Sequence, residues 1–289
     1  QDYFQIQGKT LLILCEEGEE EYDPAILEAN NTVVEVIENE EDFTTDRLVA
    51  MDILHQPERV IIEYNGMWLV SNFEKMQLPT GWGVEQQITC VDGSTFQMYM
   101  ANMKSIFMDM IKNTDMVIFN RCKKEDPLPT YRRGIKVANQ RAEVIFEDEE
   151  GELGDIFQDE MPFDMNAPVI EILPEDYGIW FVDAMDHPEN YEGKTVKFKA
   201  RVMKPRGMGS KFFVPGRTAM TCCADDTTFL GYVCKSAYAP KLTPGEWVEV
   251  TAKVGIEKRN EYQGEEGIVL AAEHVEQCDP LEDEMVYFN

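Results

Sequence analysis

The sequence predicts a two-domain protein, in which a doubly wound, mostly parallel α/β domain precedes a small all-β domain. Short apolar runs alternate with helical stretches as far as Phe146, and this order is typical of parallel strands joined by crossover helices. Beyond residue 170, β-type runs follow one another between Pro and Gly turns. The length of 289 residues also favours two domains over one.

The first domain is predicted from its hydrophobic pattern. Short apolar runs that end in polar loops indicate buried parallel strands, and a 3.6-residue apolar period indicates the helices between them. The predicted strands are 10–14, 32–37, 59–63, 84–92, 116–120 and 142–146, and the predicted helices are 46–56, 95–113 and 129–139.

The second domain is predicted to be a small barrel. Five β-type runs lie within about 90 residues, a size and spacing typical of an OB-like barrel. The runs are 195–204, 218–223, 229–234, 247–256 and 267–277. Residues 148–170 are acidic, contain Gly and Pro and show no period, so we expect a linker there. The predicted domains are therefore 1–147 and 171–289.

Composition excludes several classes of function. Lys and Arg number 26 against 55 Asp and Glu, a formal net charge of −29. Such a surface repels nucleic acid and anionic membranes, so we expect no nucleic-acid partner. No apolar stretch reaches the roughly 18 residues of a membrane span, and no signal peptide is evident. The 7 cysteines are an odd number, which favours reduced thiols and a cytoplasmic location.

Polar residues follow four of the predicted strands. The segment from Cys15 to Gly18 follows the first strand, and the segment from Glu63 to Gly66 begins where the third strand ends. Asp92 ends the fourth strand, and the pair Asn120-Arg121 ends the fifth. Because ligands of open α/β sheets bind at the carboxyl ends of the strands, these residues are the candidate site.

In order and spacing, these segments resemble the CobW-type (CobW/HypB/UreG-like) GTPases over residues 8–146. The resemblance implies a P-loop-NTPase-like sheet, GTP and Mg²⁺ as cofactors, and GTP hydrolysis. It assigns catalytic roles to Glu63 and Glu16, whose carboxylates would orient Mg²⁺. It assigns nucleotide binding to four further residues: Gly66, Asp92, Asn120 and Arg121. The alternative for Glu63 is a carboxylate at a helix N-terminus, and for Asn120 a local turn.

The chain departs from that family at three places. The phosphate-binding loop would lie upstream of Leu12, and Gly8-Lys9-Thr10 is predicted to run into a strand instead of opening a helix. We therefore treat the GTPase domain as truncated at its N-terminus and expect poor nucleotide binding. Lys123 stands where an Asp would read guanine, with Asp126 close enough to replace it. The acidic segment 38–42 stands in place of a Cys-rich metal motif.

The second half carries a different resemblance. Residues 215–226, with the closing segment 280–288, resemble the C-terminal domain of YcgQ-type bacterial proteins, over 194–288. These proteins are typically encoded beside a putative permease, sometimes in zinc-responsive settings. Cys222 and Cys223 are candidate ligands for Zn²⁺, with Cys234 and His274 as further donors. The alternative is that these cysteines are buried thiols that pack as apolar side chains.

Together these patterns predict a GTP-binding, metallochaperone-like protein of metal homeostasis whose GTPase half is incomplete. Its partner would be a permease or a metalloprotein client, without membrane insertion of its own. Two alternatives stay open: a non-catalytic scaffold built on a degenerate GTPase fold, and a zinc- or thiol-binding module. The pattern assigns no oligomeric state.

Overall fold

The computed structural model describes residues 8–16, 18, 22–154, 161–220 and 227–286. The chain divides into two compact units. The first comprises Gln1–Gln87 with Met103–Met110, and the second comprises Ile88–Asn102 with Ile111–Asn289. These units do not coincide with the domain boundaries expected at residues 147 and 170, which stay predictions.

The first unit is built on a three-stranded parallel sheet in which the central strand, β1, is the most buried. Leu11 and Ile13 of that strand contact the core together with Leu48 and Met51. The strands and helices are β1 (Thr10–Leu14), α1 (Pro24–Ala29), β2 (Thr32–Val36), α2 (Thr45–His55), β3 (Arg59–Glu63) and α3 (Val70–Lys75), and the sheet order is β2-β1-β3.

The second unit begins with another parallel sheet. Three parallel strands and one short antiparallel strand lie in the order β4-β5-β6-β7. The elements of this region are β4 (Ile88–Asp92), α4 (Phe96–Ile111, interrupted by non-helical backbone at Met103), β5 (Met116–Asn120), α5 (Leu128–Ala138), β6 (Glu143–Asp148) and β7 (Gly151–Glu152). Residues 103–110 of α4 belong to the first unit. The predicted parallel strands are confirmed, but in the described residues they pair as two sheets, where a single sheet was expected.

The rest of the second unit contains a closed five-stranded barrel. Its strands pair around the circle in the order β9-β10-β12-β14-β13 and back to β9, and β9 alternates between buried and partly exposed residues. The elements here are β8 (Ile170–Glu171), α6 (Tyr177–Asp186), β9 (Thr195–Met203), β10 (Phe212–Met220), β11 (Thr227–Gly231), β12 (Val233–Lys235), β13 (Trp247–Lys258), β14 (Glu266–Gln277) and β15 (Met285–Val286).

Helix α6 belongs to the barrel core. The Trp180 ring lies 4.8 Å from the Phe198 ring, and the Tyr177 hydroxyl donates to the carbonyl of Leu230 at 3.0 Å. At the end of α6, the Asp186 carboxylate pairs with Arg132 at 3.1 Å and with Lys136 at 3.4 Å. These two cations lie on α5, so the ion pairs join the parallel sheet to the barrel within this unit.

Membrane insertion was not expected from the sequence. Among the described residues, every helix is too short or too polar to cross a bilayer.

Candidate functional site

The first candidate site lies where strands β1 and β3 end. The two strands are parallel, and their register places Leu14 beside Glu63. The Cys15 main-chain N–H donates to the Glu63 carbonyl at 2.9 Å, which carries the pairing one residue beyond the strand. The sequence folds this way because the buried apolar run of β1 ends where the polar segment begins.

The loops after these strands contact each other through the predicted residues. Glu16 Oε2 accepts a hydrogen bond from the main-chain N–H of Gly66 at 3.2 Å. The Asn65 side-chain amide donates to the carbonyl of Cys15 at 3.1 Å. The structure therefore brings Glu16, Glu63 and Gly66 to one edge of the sheet.

Tyr22 is a member of this site that the sequence did not indicate. Its hydroxyl donates to Glu63 Oε2 at 2.7 Å, and this hydrogen bond is the main cause that raises the pKa of Tyr22 above its usual value. The contact links residues 41 positions apart, and no motif marks it. We call the group formed by Glu16, Tyr22, Glu63, Asn65 and Gly66 the first sheet edge.

No cation of the described ranges pairs with the two carboxylates of the first sheet edge. Glu16 and Glu63 are exposed. Glu16 accepts a hydrogen bond from the main-chain N–H of Gly66, and Glu63 accepts one from the phenol of Tyr22, so both donors are neutral. Two exposed carboxylates with neutral partners are suited to a hard cation such as Mg²⁺. Within the described ranges, however, no cluster holds three or more residues of the types that ligate metals.

Cys15 at the same edge is not a reactive thiol. The residue is 1% exposed, and burial, reinforced by the charge of Glu63, raises the pKa of its thiol to about 12. The thiolate is the nucleophilic and metal-binding form of cysteine, and a thiol with this pKa does not form it at neutral pH. We therefore interpret Cys15 as a residue of the core.

The second candidate site lies at the carboxyl ends of β4 and β5, where the register places Asp92 beside Asn120. The Asp92 carboxylate is fully engaged. Its Oδ2 pairs with Arg121 at 2.7 Å, and its Oδ1 accepts from the Ser94 hydroxyl at 2.6 Å and from the Ser94 main-chain N–H at 2.9 Å. We call the group formed by Asp92, Ser94, Asn120 and Arg121 the second sheet edge.

These contacts set the charge state of Asp92. Burial acts to raise its pKa, but the hydrogen bonds from Ser94 and Arg121 outweigh burial, so the pKa lies below the usual value. Arg121 reaches Asp92 from a left-handed backbone conformation with φ of 53°. The outcome is a closed ion pair with no net charge.

Asn120 differs from Asp92, because its side-chain oxygen is buried and accepts no hydrogen bond from the described residues. A buried amide oxygen without a donor is unfavourable, so a ligand or a further chain segment would be stabilised by donating to it.

The segment after Asn120 does not offer a guanine-reading carboxylate. Asp126 Oδ2 accepts a hydrogen bond from the main-chain N–H of Lys123 at 2.7 Å, and the Asp126 main-chain N–H donates to the Lys123 carbonyl at 3.1 Å. Asp126 therefore stabilises the turn of its own loop. Our expectation that it could replace the missing acceptor finds no support in this arrangement.

The cysteine pair singled out in the second half, Cys222 and Cys223, lies outside the described residues. The two further donors predicted for this zinc site, Cys234 and His274, differ in environment. Cys234 is fully buried, and burial raises the pKa of its thiol to about 12, whereas the His274 side chain is 58% exposed and lies 3.4 Å from Glu276. A buried thiol with a raised pKa is a poor metal ligand, and the strand register pairs Cys234 with Leu270, four residues from His274, so the structure does not support these two residues as joint ligands.

One comparison with known proteins concerns the second half of the chain. Residues 152–288 match a protein family described as "DUF1980 C-terminal domain". No curated protein matches the chain.

Similar solved structures include two of the mitochondrial single-stranded DNA-binding protein Rim1 from S. cerevisiae. Each is 10% identical with a TM-score of 0.20 and covers 30% of this chain and 97% of that protein. Another is an aspartyl tRNA synthetase from Entamoeba histolytica, 14% identical with a TM-score of 0.23, which covers 41% of this chain and 27% of the synthetase. Likeness at these values carries no argument about function.

Proposed function

We propose that this chain is a CobW-like, GTP-binding protein of metal homeostasis, with a P-loop-NTPase-like nucleotide half. The observation that supports the proposal is the first sheet edge. Glu16, Glu63 and Gly66 come from two segments about 50 residues apart, and a direct hydrogen bond joins Glu16 to Gly66. Those are the positions at which CobW-type proteins carry their switch-loop and Walker-B-like residues.

The residues at the first sheet edge fit Mg²⁺. Glu16 and Glu63 would supply one or two carboxylate oxygens, as is usual for Mg²⁺, which retains waters and phosphate oxygens as its other ligands. When bound, Mg²⁺ would neutralise charge on a nucleotide phosphate. Tyr22 and the Gly66 main-chain N–H hold the two carboxylates in place without neutralising them.

The residues that would read the guanine base fit poorly. Lys123 cannot accept the two guanine N–H groups, and Asp126 caps its own loop. Gly8-Lys9-Thr10 forms no phosphate cradle either, since the Lys9 carbonyl accepts main-chain hydrogen bonds from Glu58 and Arg59 where β1 begins. We therefore derive no hydrolytic step, and the proposal is nucleotide binding, with hydrolysis only where a phosphate-binding loop precedes this chain.

The barrel supplies the second part of the proposal. The match of residues 152–288 to the DUF1980 C-terminal domain supports a YcgQ-type, OB-like module. Such a module would dock a permease or a metalloprotein client from the cytoplasm. Nucleotide binding at the first sheet edge would then change the loop after β1 and so alter docking.

Nucleotide binding is tested by calorimetry with the natural protein, retaining any residues that precede Gln1. We expect Mg²⁺-dependent GTP binding that Glu63→Gln weakens about tenfold or more, because it removes a charged ligand. Glu28→Gln, which removes an exposed carboxylate from α1, is the matched control and should leave the affinity unchanged. Absence of GTP binding in the natural protein would refute the proposal.

A second candidate, a non-catalytic scaffold on a degenerate GTPase fold, is favoured by the second sheet edge. Asp92 and Arg121 pair with each other there, so the Asp92 carboxylate is engaged within the chain. In this case the natural protein binds a client but no nucleotide, so the same calorimetry separates the two candidates.

Zinc at Cys222 and Cys223 is a separate proposal. Elemental analysis of the purified protein would show zinc that disappears in the Cys222→Ser/Cys223→Ser double variant. Cys90→Ser, at an exposed cysteine, is the matched control and should retain the metal. Absence of metal from the unmodified protein would exclude this site.

A further inference from the structure

A groove lies at one end of the barrel, between two loops that the function proposed above does not use. One loop, residues 204–211, joins β9 to β10, and the other, residues 259–265, joins β13 to β14. The groove has a volume of about 580 Å³, within the range of small-molecule sites. Its lining includes Arg206, Gly207 and Gly209 from the first side and Lys258, Arg259 and Glu261 from the second.

The charge of this groove is opposite to that of the chain. Three of its side chains are cationic and only one is a carboxylate, although the chain as a whole carries −29. Arg206 and Lys258 are exposed, and neither has an ion-pair partner in the ranges that the structure describes. A local positive site on an acidic protein concentrates small anions there.

Arg259 forms a fixed wall of the groove. Its guanidinium donates two hydrogen bonds to Glu261, at 3.1 and 2.9 Å, and stacks over the Phe212 ring with 4.4 Å to the ring centroid. The charge of Arg259 is therefore largely compensated, and its role is to shape the site. Arg206 and Lys258 are the two cations left to hold a ligand.

The first loop allows close approach of a ligand, and the second loop is held in place. Gly207 adopts φ of +88°, a conformation that side chains disfavour, and neither Gly207 nor Gly209 donates its main-chain N–H to a described residue. The second loop is anchored by Tyr262, whose hydroxyl donates to the Ile268 carbonyl and accepts from the Val233 N–H. Exposed main-chain N–H groups beside Arg and Lys are the donor set that binds phosphate oxygens.

The lining also limits the size of the ligand. None of the lining residues is aromatic, so the groove offers no platform on which bases would stack. The charge of −29 opposes binding of a long polyanion, whose phosphates would face acidic surface beyond the groove. A small molecule with one phosphate or polyphosphate group satisfies both constraints.

We propose that the groove between residues 204–211 and 259–265 binds a small phosphate-bearing anion, held by Arg206, Lys258 and the main-chain N–H groups of Gly207 and Gly209. This site is distinct from the first sheet edge and does not depend on GTP binding there.

Inorganic triphosphate is the probe, added to the full chain at constant ionic strength and followed by calorimetry and by amide NMR. We expect shifts at the amides of Gly207 and Gly209 and little change at Gly66. The Arg206→Ala/Lys258→Ala double variant should bind about tenfold more weakly or worse, since two charged contacts are lost. Both side chains are exposed, so the variant should fold normally.

Lys241→Ala/Lys253→Ala removes the same charge from exposed positions outside the groove and should bind like the unmodified protein. Equal weakening in the two double variants would overturn the proposal, because it would show that binding depends on the overall charge of the protein and not on the groove. So would absence of triphosphate binding, or shifts confined to Gly66. Tighter binding of a short oligothymidylate than of triphosphate at Gly207 and Gly209 would overturn it in favour of nucleic acid.

Discussion

The two sheet edges have the same topology but hold their carboxylates in different ways. At the first edge, Glu16 and Glu63 accept from a main-chain N–H and a phenol. At the second edge, Asp92 accepts from a hydroxyl and an N–H of Ser94 and pairs with Arg121. Neutral donors fix a carboxylate while its charge remains available, whereas an Arg partner cancels that charge. A carboxylate at a strand end is therefore not by itself a cation site. Whether its charge is available to a cation depends on the group with which it pairs.

The largest difference that we expect between the edges is in the loss of stability when a glycine at each edge is replaced by alanine. A Cβ at Gly93, next to Asp92, would lie 2.7 Å from the Cys122 sulfur and 3.0 Å from the Asn120 carbonyl oxygen. We expect Gly93→Ala to lower the free energy of unfolding by about 1–3 kcal/mol, as overpacking does. A Cβ at Gly66 would meet only Glu16 Oε2, at 3.8 Å, so Gly66→Ala should change stability by less than about 0.5 kcal/mol.

Urea denaturation followed by circular dichroism measures both glycine variants. Equal losses at the two positions would contradict the close packing described at the second edge.

A smaller effect is expected from the ion pair at the second edge. Its partners are partly exposed, so a double-mutant cycle with Asp92→Asn and Arg121→Ala should give a coupling of about 0.5–1 kcal/mol near neutral pH. Because the pKa of Asp92 is lowered in the folded protein, this stabilisation is present above the unfolded pKa of about 3.9 and is lost as pH falls through the folded value.

The coupling should also decrease with added salt, which screens charges at the protein surface. A corresponding cycle for Tyr22→Phe and Glu63→Gln, whose donor is neutral, should depend less on salt. A coupling at the second edge that persists in acid would mean that Arg121 does not act through the Asp92 charge.

Much of the parallel core could be predicted, because buried strands have a simple pattern. The bounds of β1, β3 and β5 match the sequence prediction, since each is an apolar run that ends at a polar loop. The all-β barrel was predicted from its strand spacing. The beginning of β10 was missed, since the predicted run began only at residue 218. Pro215 and Gly216 lie within the strand, where Gly216 faces Gly231 across a close pair of strands.

Helix α6 was also missed, and its burial explains why. Tyr177, Trp180, Phe181 and Val182 are all buried, so the helix is apolar around most of its surface and lacks the one-sided period that predicts a helix. Helix α1 has only six residues and starts from a cap by Asp23, too short for a periodic signal.

The candidate site was predictable only where it follows from strand order. The meeting of Glu16 with Gly66 follows from two neighbouring parallel strands. The bonds of Tyr22 to Glu63 and of Arg121 to Asp92 depend on loop conformation, which no periodicity specifies. The Arg121 contact nevertheless compensates the charge of Asp92, whereas the contact from the neutral Tyr22 hydroxyl leaves Glu63 without an ion-pair partner in the described ranges.

The smallest effect concerns Tyr22 and tests whether the first edge keeps its charge. The hydrogen bond to Glu63 raises the pKa of Tyr22, so its stabilisation is present below the unfolded pKa of about 10 and is lost as pH rises through the folded value. NMR titration of ring-labelled tyrosines, with the Tyr22 signal assigned by its loss in Tyr22→Phe, should show this raised pKa. Glu63→Gln should return it toward the usual value, and Glu16→Gln should not. Equal titration of Tyr22 with and without Glu63 would show that no carboxylate charge acts on this phenol.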